Sequence, residues 1–314
     1  MTIYVDIYLI ISLICILLFY LLWRFFRLRR AIFILSNQIS WTIQHASKEK
    51  LVLEVGSGHN PHIRSDVLCD KYLFDDAHRA DKIIIDRPLV VGDACALPFK
   101  TKVFDVIISK QMIEHLDVPQ LFFEEAGRVA KSGFFSAPTA LREKLMSEPQ
   151  HRWLIEYRDG ELVFTVKQEP IYDNALKDFF EETLISSTYK YDQLTLNNRE
   201  KLDFIYLWEG MPRCKVIGNP SHPGFVHANI HESSIVRKIS GIEKARSYAK
   251  TIVRNLMHFA FKSILVFEWK DILACPKCHN DVIVTDGSIQ CIECLTSYPI
   301  KDGIPIMLIE YASG

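Results

Sequence analysis

The chain has 314 residues, a formal net charge of −1 and a hydrophobic fraction of 49%. This length suits one full α/β domain with attachments, and the near-zero charge provides no overall field that would attract nucleic acid. Of its 8 cysteines, four lie singly along the chain and four form two CxxC pairs near the C-terminal end. That pattern excludes a small disulfide-stapled secreted domain and is typical of metal binding in a reducing compartment.

The N-terminal segment carries an uncharged apolar run from Ile7 to Trp23. As a helix this run would be about 26 Å long, and aromatic residues at both ends would extend it across a bilayer. The basic sequence RFFRLRR follows from Trp23 onward, with no small-residue cleavage site after it. We therefore predict an uncleaved single-pass transmembrane anchor with its basic flank over residues 1–30, a juxtamembrane helix over 31–48, and a cytoplasmic location for the rest of the chain.

The next segment, residues 49–235, alternates short apolar runs with a helical pattern, which predicts an α/β domain with a parallel sheet. The helix is expected between residues 117 and 133, ended by Gly133. Two antiparallel hairpins are expected afterwards, one turning at Asp159-Gly160 and one around Gly210. The predicted strands are residues 50–55, 66–69, 82–86, 104–109 and 133–138.

A basic amphipathic stretch, residues 236–270, links this domain to a C-terminal module over residues 271–314. The alternation of lysine and arginine with apolar residues fits two interpretations equally. The stretch is either a linker helix that packs on the α/β domain or a helix that lies on anionic lipid.

The first strand is followed by the sequence EVGSG, in which Gly56 and Gly58 allow a tight turn and a close approach of backbone N–H groups to a ligand. The third glycine of a dinucleotide fingerprint is absent, which disfavours a nicotinamide cofactor. Asp70 ends the second strand, where a carboxylate can bind two ribose hydroxyls, and Asp93 follows the third strand. These positions predict a nucleoside-containing ligand at the carboxyl edge of the sheet.

The motifs EVGSG, GDA..LPF, FDVII and EHL, in this order over residues 50–140, resemble class I S-adenosylmethionine-dependent methyltransferases of the type 11 branch. The resemblance implies a Rossmann-like, seven-stranded α/β sheet with an antiparallel end. It also implies the following cofactor-binding residues: Glu54, Gly56, Ser57 and Gly58 near the methionine part, Asp70 on the ribose, Asp93 and Ala94 on the adenine, and Ser109 at the cleft floor.

A catalytic base is needed only if the accepting atom must lose a proton. The candidates are Glu114 and His115 of the EHL motif, and His151 in the segment expected to cover the substrate. His115 is equally explained as a packing residue, and His151 as a histidine of a surface loop.

The two CxxC pairs contain Cys275, Cys278, Cys291 and Cys294. Two such turns direct four thiolates at one centre, which predicts a closed, structural Zn²⁺ site. The module, including its YPI.DGIP.ML ending, resembles the small zinc-ribbon activator family that partners methyltransferases of tRNA and translation factors. The resemblance implies a zinc-ribbon-like β module that acts in cis on its own enzyme.

Together these features predict an S-adenosylmethionine-dependent methyltransferase that acts on a small or membrane-associated acceptor, such as a lipid, a quinone or a lipid-linked sugar, at the cytoplasmic membrane face. Nucleic acid is a less favoured partner. The alternatives are a tethered RNA or protein methyltransferase and a non-catalytic membrane scaffold with a degenerate methyltransferase fold.

Overall fold

The computed structural model describes residues 44–73, 82–146, 148, 150–167, 194, 197–218 and 241–313, with only the backbone described over 241–250. The chain divides into two compact units, Met1–Ser47 and Lys48–Gly314, and the features below belong to the second unit. The expected transmembrane anchor lies outside the described residues. Within them, no helix has both the length and the apolar character needed to span a membrane.

The central sheet of the second unit has six strands in the described residues, in the order β3-β2-β1-β4-β5-β8. The first five are parallel and β8 runs antiparallel to β5. Strand β1 is buried along its whole length, as expected for a parallel sheet covered on both faces. The bounds are β1 Val52–Val55, β2 Val67–Asp70, β3 Leu89–Val91, β4 Phe104–Lys110, β5 Ala130–Pro138 and β8 Asp203–Glu209.

Helix α1 (Pro119–Val129) covers one face of this sheet. Its Phe122 and Phe123 are buried, and both rings contact Phe135 of β5 with centroid distances of 5.2 and 5.4 Å. The sequence pattern had extended this helix to Gly133, which is wrong. Gly133 lies within β5, where a Cβ would come 2.4 Å from the Trp208 ring of β8, so the glycine permits close packing between strands.

Two strand expectations are also wrong. Residues 82–86 form no strand, because the Ile84 N–H binds the Gly58 carbonyl at 3.0 Å and the third strand begins only at Leu89. The second hairpin is absent, because β8 pairs with β5 while β9 (Cys214–Ile217) pairs in parallel with β7 of another sheet. Of the seven strands expected in the central sheet, the described residues contain six.

A separate three-stranded sheet has the order β6-β7-β9. The hairpin expected at Asp159-Gly160 is confirmed, since β6 (Trp153–Arg158) and β7 (Glu161–Val166) are antiparallel and both turn residues have positive φ, 50° and 80°.

The described residues also contain three short helices: α2 (Ala140–Leu145), α3 (Arg199–Leu202) and α5 (Trp269–Ile272).

The basic linker contains helix α4 (Gly241–Phe261). One side of this helix contacts the α/β domain, since Arg254 Nε lies 3.1 Å from Asp86 and His258 Nδ1 lies 3.0 Å from the Ile63 carbonyl. The other side exposes Leu256 and Phe259, which are 65% and 73% accessible. The helix therefore packs on the domain and still presents an apolar face to solvent.

The C-terminal module is a four-stranded antiparallel sheet in the order β10-β11-β12-β13. It packs against the central sheet at the β3 edge: Met307 N–H binds the Val91 carbonyl at 2.7 Å, and Ile306 forms a parallel bridge with Val91. Buried Leu273 forms a second bridge with Phe99. The strand bounds are β10 Val282–Val284, β11 Ser288–Cys291, β12 Ser297–Lys301 and β13 Ile304–Pro305.

Candidate active site and zinc centre

The loop after β1 places both glycines in the left-handed region, with φ of 72° for Gly56 and 51° for Gly58. Gly56 packs directly against Met112, since a Cβ would come 2.4 Å from Met112 Cγ. At Gly58 a Cβ would meet no atom within 4 Å, so the loop borders open space at that position. This space at the carboxyl end of β1 is where an open α/β sheet binds its ligand.

Asp70, at the end of β2, faces the same loop. Its Oδ2 accepts a hydrogen bond from Gly58 N–H at 3.0 Å, and its Oδ1 accepts one from Tyr72 N–H at 3.1 Å. The carboxylate therefore fixes the glycine loop from the neighbouring strand.

Asp93 follows β3 and caps a turn in which its Oδ1 accepts a hydrogen bond from Cys95 N–H at 2.8 Å. Ala94 lies within this turn, which a bridge between Asp93 and Ala96 closes. The other oxygen of Asp93 lies 2.6 Å from Lys71 Nζ. Sequence reasoning missed Lys71, although its position directly after Asp70 was a signal that a cation would lie at this edge.

Glu54 is completely buried and supports the glycine loop after β1. Its Oε2 accepts hydrogen bonds from His62 N–H and from the Ser65 hydroxyl, each at 2.7 Å. Lys110, at the end of β4, reaches the other oxygen at 3.2 Å. With its oxygens held in this way, Glu54 shapes the loop through these contacts.

His62, which extends this support, must be neutral. Its Nδ1 accepts a hydrogen bond from Arg64 N–H at 3.2 Å. Burial, followed by the positive charges of Lys110, Arg87 and Arg64, holds the pKa of His62 well below its usual value.

Two hydroxyls support the assignment of a ligand to this cleft. The side-chain oxygens of Ser57 and Ser109 are buried and have no hydrogen-bond partner in the part of the chain that the structure describes. Buried hydroxyls are normally satisfied. These two oxygens, with the open space at Gly58, fit a polar ligand such as S-adenosylmethionine.

The three candidate catalytic residues come together although His151 is distant in sequence from Glu114 and His115. Glu114 and His115 belong to the 3-10 helix Ile113–His115 that follows β4, and His151 precedes β6. The rings of His115 and His151 meet edge to face with centroids 4.7 Å apart, and His151 Nε2 lies 4.0 Å from Glu114 Oε1. His151 is 7% accessible, so the interpretation as a surface-loop histidine is wrong.

Glu114 is fully buried, and neither carboxyl oxygen has a hydrogen-bond partner among the described residues. Burial raises the pKa of Glu114 to about 8. At neutral pH this group is therefore mostly a protonated carboxylic acid, which can donate a hydrogen bond.

Glu143 and Lys167 support His151, and the sequence motifs gave no signal for either. Glu143 Oε1 lies 2.5 Å from His151 Nδ1, and its Oε2 accepts a hydrogen bond from Lys167 Nζ at 2.9 Å. Burial alone would raise the pKa of Glu143, but the hydrogen bond from His151 and the Lys167 charge hold it below its ordinary value. Glu143 is therefore an ionised acceptor that orients His151.

The four cysteines converge as expected, and each is free of disulfides. Their Sγ atoms all lie within 4.8 Å of one another. Three of the pairs are 3.4 to 3.6 Å apart. Zinc bound at about 2.3 Å from each of four thiolates would hold them about 3.8 Å apart, so these residues fit a closed tetrahedral zinc site.

Comparison with known families divides the chain in the same way. The model for the methyltransferase domain matches residues 69–135, and the model for the Trm112p-like protein matches residues 270–303. A UPF0434 protein from Nitrosococcus oceani is 46% identical over 44 residues, which is 13% of this chain and 75% of that protein.

Two solved structures resemble parts of the chain. A candidate methyltransferase from Bacillus halodurans is 18% identical with a TM-score of 0.27, covering 38% of this chain and 63% of its own. A complex between the Haloferax volcanii Trm112 methyltransferase activator and a candidate methyltransferase is 11% identical with a TM-score of 0.32, covering 57% of this chain and 95% of the matched one. The chain thus spans less than two thirds of the first of these structures.

Residues 69–135 therefore match a methyltransferase domain, and their strands belong to the parallel sheet that carries the glycine loop. A Trm112p-like module is part of the same polypeptide. Over its 44 aligned residues, the chain belongs to the UPF0434 family.

Proposed function

We propose that the chain methylates a membrane-associated acceptor, a lipid, a quinone or a lipid-linked sugar, at the cytoplasmic membrane face. The observation that carries this proposal is the apolar face of α4, on which Ile252, Val253, Leu256 and Phe259 are exposed although the opposite side of the helix contacts the α/β domain. An interfacial helix presents such a face to lipid. The apolar run from Ile7 to Trp23 supports the same location, since it has the composition of a membrane anchor.

In this proposal the glycine loop and the carboxylates bind the cofactor. Asp70 binds the ribose hydroxyls, Asp93 with Ala94 binds the adenine, and the Ser57 and Ser109 hydroxyls face the remainder of the cofactor. Bound S-adenosylmethionine supplies an electrophilic methyl group on a positively charged sulfur. The protein's contribution is alignment of the acceptor for in-line displacement and exclusion of water.

In this proposal the methyl acceptor is bound beside Glu114, His115 and His151. Glu114 and His115 follow β4, and Met112 just before them contacts Gly56 of the cofactor loop. This adjacency supports a role close to the transferred methyl group. The buried ion pair between Glu143 and Lys167 keeps His151 oriented.

A second candidate is a tethered methyltransferase of RNA or protein, favoured by the Trm112p-like module, because a Trm112 activator accompanies a candidate methyltransferase in the Haloferax volcanii complex. In that case the C-terminal module would stabilise an enzyme whose acceptor is a macromolecule. The two candidates predict different destinations for the methyl group.

The test supplies the full-length protein and tritium-methyl S-adenosylmethionine to a whole-cell extract that includes membranes. We expect label in the organic phase after solvent extraction, and mass spectrometry of that phase should find a lipid heavier by one methyl group. Label found only in the RNA or protein fraction would reject the lipid proposal in favour of the second candidate. Asp70→Asn should abolish the transfer, while Asp286→Asn, an exposed carboxylate in the C-terminal module, should not.

A further inference from the structure

Three potential metal ligands gather where β4 ends. Glu114 and His115 lie in one 3-10 helix, and the backbone hydrogen bond from Arg152 N–H to the Glu114 carbonyl, at 2.9 Å, holds the His151 segment beside it. One ligand atom from each of the three side chains lies within 4.8 Å of the other two. A metal bound at about 2.0–2.2 Å from each atom would need them roughly 3–3.5 Å apart, which small side-chain rotations achieve.

The two imidazoles are oriented as metal-ligating histidines are. His151 Nδ1 faces a carboxylate oxygen of Glu143 at 2.5 Å, and His115 Nδ1 faces the Gln150 carbonyl at 3.3 Å. Both partners are acceptors, so Nδ1 is the donating nitrogen of each ring and Nε2 is the nitrogen that can bind a metal. A carboxylate or backbone carbonyl on the second ring nitrogen is the usual support of a metal-bound histidine.

The third side chain, Glu114, is buried and, among the described residues, lacks the hydrogen bonds that a carboxyl group normally makes. Glu114 is 0% accessible, and neither of its oxygens has a hydrogen-bond partner in the described part of the chain. A buried carboxyl group without a partner is costly, and proteins retain one where a bound ion or a catalytic role explains it. A cation between Glu114 and the two imidazoles would displace the carboxyl proton and satisfy the ionised group.

We propose that Glu114, His115 and His151 bind one divalent transition-metal ion, distinct from the metal of the four-cysteine site. Two imidazoles and one carboxylate form a ligand set typical of zinc and of non-haem iron sites, which keep coordination positions open. The absence of thiolates among these ligands also admits Mn²⁺, which the cysteine site disfavours.

This inference rests on the proposed function and narrows it to an acceptor with a hydroxyl group. An oxygen ligand at an open position ionises more readily. The hydroxyl proton then leaves to solvent, the oxygen forms a bond to the methyl carbon, and the electron pair of the broken carbon–sulfur bond stays on sulfur. The products are a methyl ether, S-adenosylhomocysteine and a proton.

The test titrates Mn²⁺ into full-length protein prepared with one zinc ion per chain, enough for the four-cysteine site alone, and follows free Mn²⁺ by electron paramagnetic resonance. We expect one Mn²⁺ per chain, with the affinity reduced by more than about 100-fold in Glu114→Gln and in His115→Asn. Glu124→Gln, an exposed carboxylate on α1, is the matched control and should bind as the parent does. Circular dichroism and zinc content report whether each variant is folded, and the second ligand variant decides the matter if one fails to fold.

Lack of Mn²⁺ binding by the parent protein, or unchanged binding in a folded ligand variant, would overturn the metal site. Calorimetry with S-adenosylmethionine on the same samples separates the two proposals. Cofactor binding without Mn²⁺ binding rejects the metal site alone, whereas Mn²⁺ binding without cofactor binding rejects the methyl-transfer function alone.

Discussion

Replacement of either loop glycine by alanine tests how the cofactor loop is built. Both positions have positive φ, and an alanine in that region costs about 1–2 kcal/mol. At Gly56 the new methyl group would also lie 2.4 Å from Met112 Cγ, whereas at Gly58 it would meet no atom within 4 Å. Overpacking of a close-packed site adds about 1–3 kcal/mol. Gly56→Ala should therefore lower the free energy of unfolding by roughly 2–5 kcal/mol, and Gly58→Ala by only about 1–2 kcal/mol.

Urea unfolding of the full-length protein in detergent solution, followed by tryptophan fluorescence, measures both losses. Adding Met112→Ala to the Gly56→Ala variant should recover part of the overpacking contribution, measured against the Met112→Ala single variant, because it removes Met112 Cγ but keeps Met112 Cβ, which would lie 2.8 Å from the new methyl group. Equal losses for the two glycine variants, or no recovery in the double variant, would refute this reasoning.

Three further changes probe other parts of the chain. His62→Asn keeps an acceptor at this position but removes the titrating imidazole. The pKa of His62 in the folded parent lies below its unfolded value near 6.5, so the parent should lose stability as pH falls below 6.5, by up to about 1.4 kcal/mol per pH unit. In the same urea titrations, the variant should lose less stability. Cys291→Ser should lower the zinc content by one ion per chain in elemental analysis and unfold the C-terminal module, because the thiolates hold that metal. A variant with the zinc content of the parent contradicts the four-cysteine site. Leu273→Ala, fully buried where the module meets the α/β domain, should lower the midpoint of thermal unfolding by the equivalent of about 2–5 kcal/mol, whereas Leu295→Ala at a 63% accessible position should change it little.

The sequence was sufficient for those parts of the fold that depend on local pattern. The largely apolar strands β1 and β4, the Asp159-Gly160 turn and the two CxxC turns each carry their signal within a few residues. It was insufficient where long-range packing decides. Residues 82–86 read as a buried strand because they are apolar, but Ile84 binds the glycine loop instead. Gly133 read as the end of a helix, but its lack of a side chain serves the packing of Trp208.

The same division applies to the candidate site. The EHL motif selected Glu114 and His115, the segment expected to cover the substrate added His151, and the structure brings the three together. The motifs do not predict Glu143 and Lys167, because these residues lie outside the motif region, in α2 and directly after β7. Only the tertiary fold places them beside His151. Lys71 was missed for a different reason: its ion pair with Asp93 links the ends of β2 and β3, a neighbourhood set by strand order.

The bond between Met307 and Val91 has a consequence for biosynthesis. A ribosome synthesises Val91 about two hundred residues before Met307. The edge strand β3 therefore has unpaired amide and carbonyl groups until translation is nearly finished. Chains that stop early keep these groups uncovered, ready to pair with one another. The edge strand is therefore covered only when synthesis of the polypeptide is complete, and we expect truncated products to aggregate.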